Sequence, residues 1–294
     1  MPHCKFNMPT KEKTNIKRLK KTANNIRENI IKMLVKAGSG HSAGPLGMAD
    51  VFTALYFNVL RHDPKRPNWK ERDRLILSNG HICPVWYATL AEAGYFPKRE
   101  LWTLRQLGSP LQGHPQYHSL PGIENTGGPL GQGTSVAVGM AYALSQWEGS
   151  KSSIFCLTSD GEHNEGQTWE AIMFAAKHSL ANLTVIVDRN NIQIDGPTER
   201  VMPLDSLRAK YEAFNWHVLE VDGHNIEEII SACQKAKAIV ERPVCIIAYT
   251  IPGKGVDFME YDYKWHGSPP NQEQAKIALR ELRTLRGQIS VGDL

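Results

Sequence analysis

Residues 157–196 read LTSDGEHNEGQTWEAIMFAAKHSLANLTVIVDRNNIQIDG, and their pattern decides the fold. The apolar run at 154–157 leads into them as a short buried strand. An acidic turn follows, Asp160-Gly161. The spacing then predicts a helix over 167–177, with Trp169, Ile172, Met173 and Ala176 on one side. A second strand is predicted at 183–187, ending in Asp188-Arg189-Asn190-Asn191. Strand, turn, helix and strand in this order build a parallel sheet, and ligands of such sheets sit at the carboxyl ends of the strands. Asp160 and Asn190, thirty positions apart, fall just past two such ends and are expected side by side. A carboxylate, an amide oxygen and a backbone carbonyl are hard oxygen ligands. They suit Mg²⁺, which keeps few protein ligands and takes the rest from phosphate and water.

The 294 residues are ample for one large α/β domain. A net charge of +4 is too mild to argue for nucleic acid and compatible with phosphorylated substrates. The five cysteines show no CxxC spacing, which reads as a reducing, cytoplasmic protein. The opening residues carry no apolar signal region, and no apolar run is long enough to span a bilayer, so no membrane role is expected. Residues 1–14 are expected to be a flexible tail, and 15–294 a single domain without internal repeats.

Working outward, an amphipathic helix is predicted at 15–36, stopping at Gly38. The segment GSGHSAGPLG around His41 is a turn made for close backbone approach. One helix is expected at 48–60, a strand at 74–78 running straight into Asn79-Gly80-His81, a helix at 83–93 and a helical stretch at 96–107. Residues 113–133, GHPQYHSLPGIENTGGPLGQG, lose all periodicity; loops of this length are usually functional or disordered. A small-residue helix at 135–146 leads into the central unit. Beyond Gly196 the pattern gives a helix near 204–214, strands at 217–221 and 244–249 with a helix at 226–240 between them, a loop carrying His266, and a last helix at 272–285. The whole is a three-layer α/β/α fold on a parallel sheet.

The Asp-Gly pair followed by Asn-Asn resembles the motif of thiamine diphosphate enzymes, although Ser159 stands where that family usually has Gly. Further elements narrow the resemblance to transketolase: GHSAGPLG at His41, SNGH at His81, GHP at His114, GPLGQG from Gly128 and WHGSP at His266. The likeness runs over about residues 15–290 and covers the half that holds the cofactor's diphosphate.

That resemblance implies a thiamine diphosphate-binding fold and a set of roles. Asp160, Asn190 and the Ile192 carbonyl would hold Mg²⁺, or Ca²⁺ or Mn²⁺ in its place. His81 and His266 would contact the diphosphate, helped by the Gly161 N–H. Gly128 and Leu130 would line the cofactor. His41 and His266 would hydrogen-bond hydroxyls of the donor sugar, and His114 would face the substrate channel. Glu165 would lie near the subunit interface and link to the opposite active site, whereas His118 and His163 receive no role. The family's pyrimidine-binding domain has no counterpart here. The chain therefore resembles the N-terminal subunit of a split transketolase, expected to act on sugar phosphates in an α₂β₂ assembly with a C-terminal subunit. Alternatives are 1-deoxy-xylulose-phosphate synthesis, a specialised sugar or sulfosugar ketol transfer, or a non-catalytic subunit that kept the fold.

Overall fold

The computed structural model describes residues 14–284. The expected tail at 1–14 lies outside the described residues except for Thr14. Seven strands are described: β1 (Arg74–Leu77), β2 (Ile154–Ser159), β3 (Leu183–Arg189), β4 (Ile192–Gln193), β5 (Gly196–Pro197), β6 (His217–Asp222) and β7 (Val244–Tyr249). The α-helices are α1 (Ile16–Ala37), α2 (Ala43–Gly47), α3 (Ala49–Ala54), α4 (Cys83–Glu92), α5 (Gln132–Tyr142), α6 (Gly166–Lys177), α7 (Thr198–Val201), α8 (Leu207–Ala213), α9 (Ile226–Ala238) and α10 (Gln272–Thr284). Five strands form one sheet in the order β1-β2-β3-β7-β6, and every pair in it is parallel. β4 and β5 make a separate small antiparallel hairpin.

The central strands carry apolar residues at nearly every position because helices cover both faces of the sheet. Side chains alternate between those faces, and the core divides accordingly. Leu75, Leu77, Phe155, Leu157, Ile186 and Ile246 join the core under α1, α3, α4, α9 and α10. Ile76, Cys156, Val185, Val187, Cys245 and Ile247 join the core under α5, α6 and α8. This is the expected three-layer architecture. Buried polar groups pin the first layer: Arg27 on α1 pairs with Asp50 on α3 at 2.5 Å, and Asp50 also meets His224 Nδ1 at 2.9 Å. His224 Nε2 in turn accepts from the Ile251 N–H at 2.8 Å, tying the loop after β7 to α3.

Three local expectations change. The helix expected at 48–60 is α3 followed by a π-helical turn, Leu55–Val59, and α2 precedes it where a turn was expected. Gly47 ends α2 close to the loop after β7, where a Cβ would meet the Ile251 carbonyl oxygen at 3.0 Å. The stretch expected to be helical at 96–107 is a short 3₁₀ segment, Lys98–Thr103. On α6 the buried face is Thr168, Ala171, Ile172 and Ala175, while Met173 points to solvent.

Candidate active site

The carboxyl ends of β1, β2 and β3 lie at one edge of the sheet. Pairing between β2 and β3 runs one residue past the strand, with the Asp160 N–H donating to the Asp188 carbonyl at 3.1 Å. This register places the Asp160 carboxylate against the Asn190-Asn191 turn, as the sequence spacing implied. Its Oδ2 accepts from the Asn191 N–H at 2.8 Å and from Arg189 at 3.2 Å. Asn190 is oriented from both sides. Its Nδ2 donates to Asp188 at 2.9 Å, and its Oδ1 accepts from the Ile192 N–H at 3.0 Å, with one lone pair left over. Burial pushes the Asp160 carboxyl up to about 6, against the pull of Arg189 and the Asn191 and Gly161 N–H groups. Burial likewise pushes Asp188 up to about 7. The Gly161 N–H donates to Asp160 Oδ1 at 2.7 Å.

Two residues on, Glu162 is fully buried. Its carboxylate accepts from the Ser78 hydroxyl, from the Gly131 N–H at 2.5 Å and from the Ser159 N–H at 3.2 Å. Burial pushes Glu162 up to about 7, while those donors pull it back. The glycine loop packs by backbone contact: a Cβ on Gly80 would lie 2.8 Å from the Gly128 nitrogen, and one on Gly133 2.4 Å from Ser78 Cα. Gly128 itself has φ +142° and open space where a Cβ would project. Leu130, beside it, is exposed.

His41, His81 and His266 come from three distant loops and meet as a cluster. Their ring centroids are 5.0 Å (His41–His81), 5.7 Å (His41–His266) and 5.1 Å (His81–His266) apart. Burial holds His41 down to about 4, with His266, Arg105 and His114 adding repulsion. Burial also drives His81 well below its usual value and lowers His266 and His114. Burial therefore favours the neutral form of all four rings, in which each ring offers one donor and one acceptor. His114 shares the field of this cluster without stacking on it. Glu165 is exposed, occupies the N-cap position of α6 without a side-chain capping hydrogen bond, and sits beside the glycine loop, where a Cβ on Gly131 would touch its Cβ at 3.0 Å.

Sequence reading missed three charged residues here. Arg105, in the left-handed region at φ 60°, lies beside Gly40 and Gly113, next to His41 and His114. No local pattern marks it. Arg189 and Glu162 flank motif residues, but only the fold shows what each touches. His163, left without a role, is a buried structural ring. Its Nδ1 lies 2.9 Å from the Ser159 carbonyl and its Nε2 2.8 Å from the Tyr211 hydroxyl.

The residues fit thiamine diphosphate and a hard divalent cation. His41 Nδ1 is buried and has no hydrogen-bond partner, an orphan that a bound hydroxyl or ligand would satisfy. Asp160, Asn190 and the Ile192 carbonyl supply oxygen donors, and Gly128 leaves backbone open to a close-lying ring.

Comparison with known proteins agrees. Residues 18–284 match the family described as "Transketolase, thiamine diphosphate binding domain". The 6-deoxy-6-sulfo-D-fructose transketolase subunit SqwG of Clostridium sp. (strain MSTE9) is 44% identical over 264 residues, covering 90% of this chain and 96% of that protein. One of the apulose-4-phosphate transketolase subunits of Phocaeicola vulgatus is 40% identical, covering 87% of this chain and 90% of that protein. Human transketolase is 36% identical over 94% of this chain but only 44% of its own length. The crystal structure of Campylobacter jejuni transketolase superposes with a TM-score of 0.86 at 37% identity, over 92% of this chain and 43% of that one. The chain thus spans nearly the whole of the subunit-type relatives and less than half of the longer transketolases, and it belongs to the transketolase family through its thiamine diphosphate-binding domain.

Proposed function

We propose that this chain is the N-terminal subunit of a two-polypeptide, thiamine diphosphate-dependent transketolase. It would transfer a two-carbon ketol unit from a ketose phosphate, or another ketose with an anionic end, to an aldose phosphate. The observation that carries the reading is the meeting of three histidine rings from distant loops, with hard oxygen donors at the carboxyl ends of β2 and β3. The names of relatives matched over almost their full length support the two-polypeptide form. Those names also include a sulfonated and a phosphorylated sugar, which supports an anionic substrate class without choosing between them.

Thiamine diphosphate supplies the nucleophilic carbon and the electron sink that carbon–carbon cleavage needs. The chain's own residues bind and move protons. Asp160, Asn190 and the Ile192 carbonyl would hold Mg²⁺ against the diphosphate, with Arg189 and the Asn191 N–H fixing the carboxylate. His81 and His266 would contact the diphosphate; Gly128 and Leu130 would line the cofactor. His41 and His266 would hydrogen-bond donor-sugar hydroxyls, and His114 would face the incoming substrate. Neutral rings suit this work, because each offers one N–H donor and one acceptor.

The partner would be a C-terminal, pyrimidine-binding subunit, arranged as α₂β₂ in the cytoplasm. Exposed apolar side chains on α5 and α6 support such an assembly: Val136, Met173 and Phe174, beside Trp147. Glu165 is exposed at the start of the helix that carries Met173 and Phe174. Among the described residues no helix is long and apolar enough to cross a membrane.

The test is calorimetry of thiamine diphosphate with Mg²⁺, and an assay of ketol transfer, on this chain alone and mixed with a candidate C-terminal transketolase subunit from the same source. Tight binding and turnover are expected only in the mixture. Turnover by the single chain would refute the two-polypeptide reading, and failure of the folded mixture to bind would refute the cofactor.

A further inference from the structure

Three segments that carry the proposed cofactor contacts meet at one buried side chain. The turn after β1 leads to His81, the glycine loop before α5 holds Gly128 and Leu130, and the end of β2 holds Asp160. Ser78 begins the first, Gly131 closes the second, and Ser159 ends the third. Each donates a hydrogen bond to the carboxylate of Glu162, which has no solvent contact. The Glu162 main chain adds a fourth anchor, its carbonyl accepting from Thr168 on α6 at 3.2 Å.

We propose that Glu162 is a positioning residue for the cofactor pocket, a single carboxylate that sets the spacing of the three ligand-bearing segments. Its geometry gives it little freedom: the donors approach from the ends of two neighbouring strands and from the loop lying across them. The close backbone packing of Gly80 on Gly128 and of Gly133 on Ser78 means that a small displacement of one segment moves the others. Glu162→Gln keeps one acceptor oxygen but turns an amide N–H toward donors that need an acceptor, so at least one buried donor loses its partner and its segment must shift. Residues that orient direct ligands commonly change ligand affinity by about 10–100-fold when lost. Glu162 touches neither cofactor nor substrate in this scheme. It acts through His81, Gly128 and Asp160.

The inference rests on the thiamine diphosphate reading, and the experiment separates the two. In the two-polypeptide assembly, the dissociation constant for thiamine diphosphate at fixed Mg²⁺ is measured for the native protein, Glu162→Gln, Ser78→Ala and Asp73→Asn, alongside thermal melting without cofactor. Asp73 is an equally buried carboxylate at the opposite end of β1, accepting from the Arg61 and Ser153 N–H groups and pairing with Lys237. Glu162→Gln is expected to weaken cofactor binding by about ten-fold or more, with kcat at saturating cofactor within about three-fold of native. Ser78→Ala removes one donor and is expected to weaken binding by a smaller factor in the same direction. Asp73→Asn is expected to lower the melting temperature and leave the affinity unchanged. Native affinity in Glu162→Gln or, if that variant does not fold, in Ser78→Ala overturns the inference. So does an equal loss in Asp73→Asn, which would make the effect one of general stability. An assembly whose native form binds no thiamine diphosphate overturns the cofactor reading instead.

Discussion

The His41 ring packs against His81 and His266, with its Nδ1 buried and unpartnered. The folded chain holds this ring's pKa near 4, whereas the unfolded chain titrates it at 6.5. Between those values the unfolded state binds a proton that the folded state does not, so stability rises with pH across the window. It is complete above 6.5 and is lost as pH falls towards 4. Glu162, Asp160 and Asp188, pushed up to about 7, 6 and 7, act in the opposite sense and mask the effect in a single curve. A difference measurement removes them. Urea unfolding of the isolated chain and of His41→Gln should differ by a constant amount from about pH 7 to 8. Native stability should then fall relative to the variant by about 1–2 kcal/mol at about pH 4.5, a discounted figure because the ring is partly exposed. Parallel curves throughout would show that the site does not depress this histidine. At this scale the sequence was informative where glycine-rich turns bracket a histidine or an Asp-Gly pair, because few other purposes require such turns. It was silent on Arg105 and Glu162. Glu162 meets Ser78 across 84 positions of chain and Gly131 across 31, and no local spacing marks either contact.

At the scale of elements, strands were easier to read than helices. A central strand of a covered parallel sheet is apolar at consecutive positions and bounded by turn residues, and β7 matches its expected limits at 244–249. β2 and β3 each extend two residues further than apolarity suggests, because Thr158, Ser159, Asp188 and Arg189 continue the ladder while changing to polar chemistry at the site. On α6 the expected face was shifted by counting Met173, an apolar residue that the fold leaves in solvent. Helix α5 shows how an element is placed by what its glycines admit. Gly133→Ala would drive a Cβ into Ser78 and force α5 away from the end of β1. A cost of about 1–3 kcal/mol is expected, with weaker thiamine diphosphate binding in the assembled protein. Gly139, in the same helix, has no atom within 4 Å of where its Cβ would be. Gly139→Ala should stabilise the isolated chain by about 0.5–1 kcal/mol. Thermal melting of the two variants checks the contrast, and equal effects would mean that helix propensity, not contact with Ser78, governs this position.

For the whole molecule, the two cores bury most apolar side chains but leave one helical face incomplete. On the α5–α6 side, Tyr142 packs edge-on against Trp147 at 5.6 Å and Phe174 at 5.7 Å, forming an aromatic strip at the protein surface. Trp147, Met173 and Phe174 remain 76%, 56% and 41% exposed, a concentration that a chain working alone gains nothing by keeping. In the proposed assembly this face is covered. Met173→Glu tests that assignment because its two consequences separate. In the isolated chain the new carboxylate sits in water, so stability should stay within about 0.5 kcal/mol of native. In the assembly the same charge would be buried without a partner, which is costly. Sedimentation of the mixed subunits should show loss of the complex, and ketol transfer by the mixture should fall by about ten-fold or more at equal concentrations. Restoration of activity at high concentrations of both chains would show that the site itself is intact and only association is impaired. A variant that assembles and turns over like the native protein would remove this face from the interface and leave the aromatic strip to another purpose.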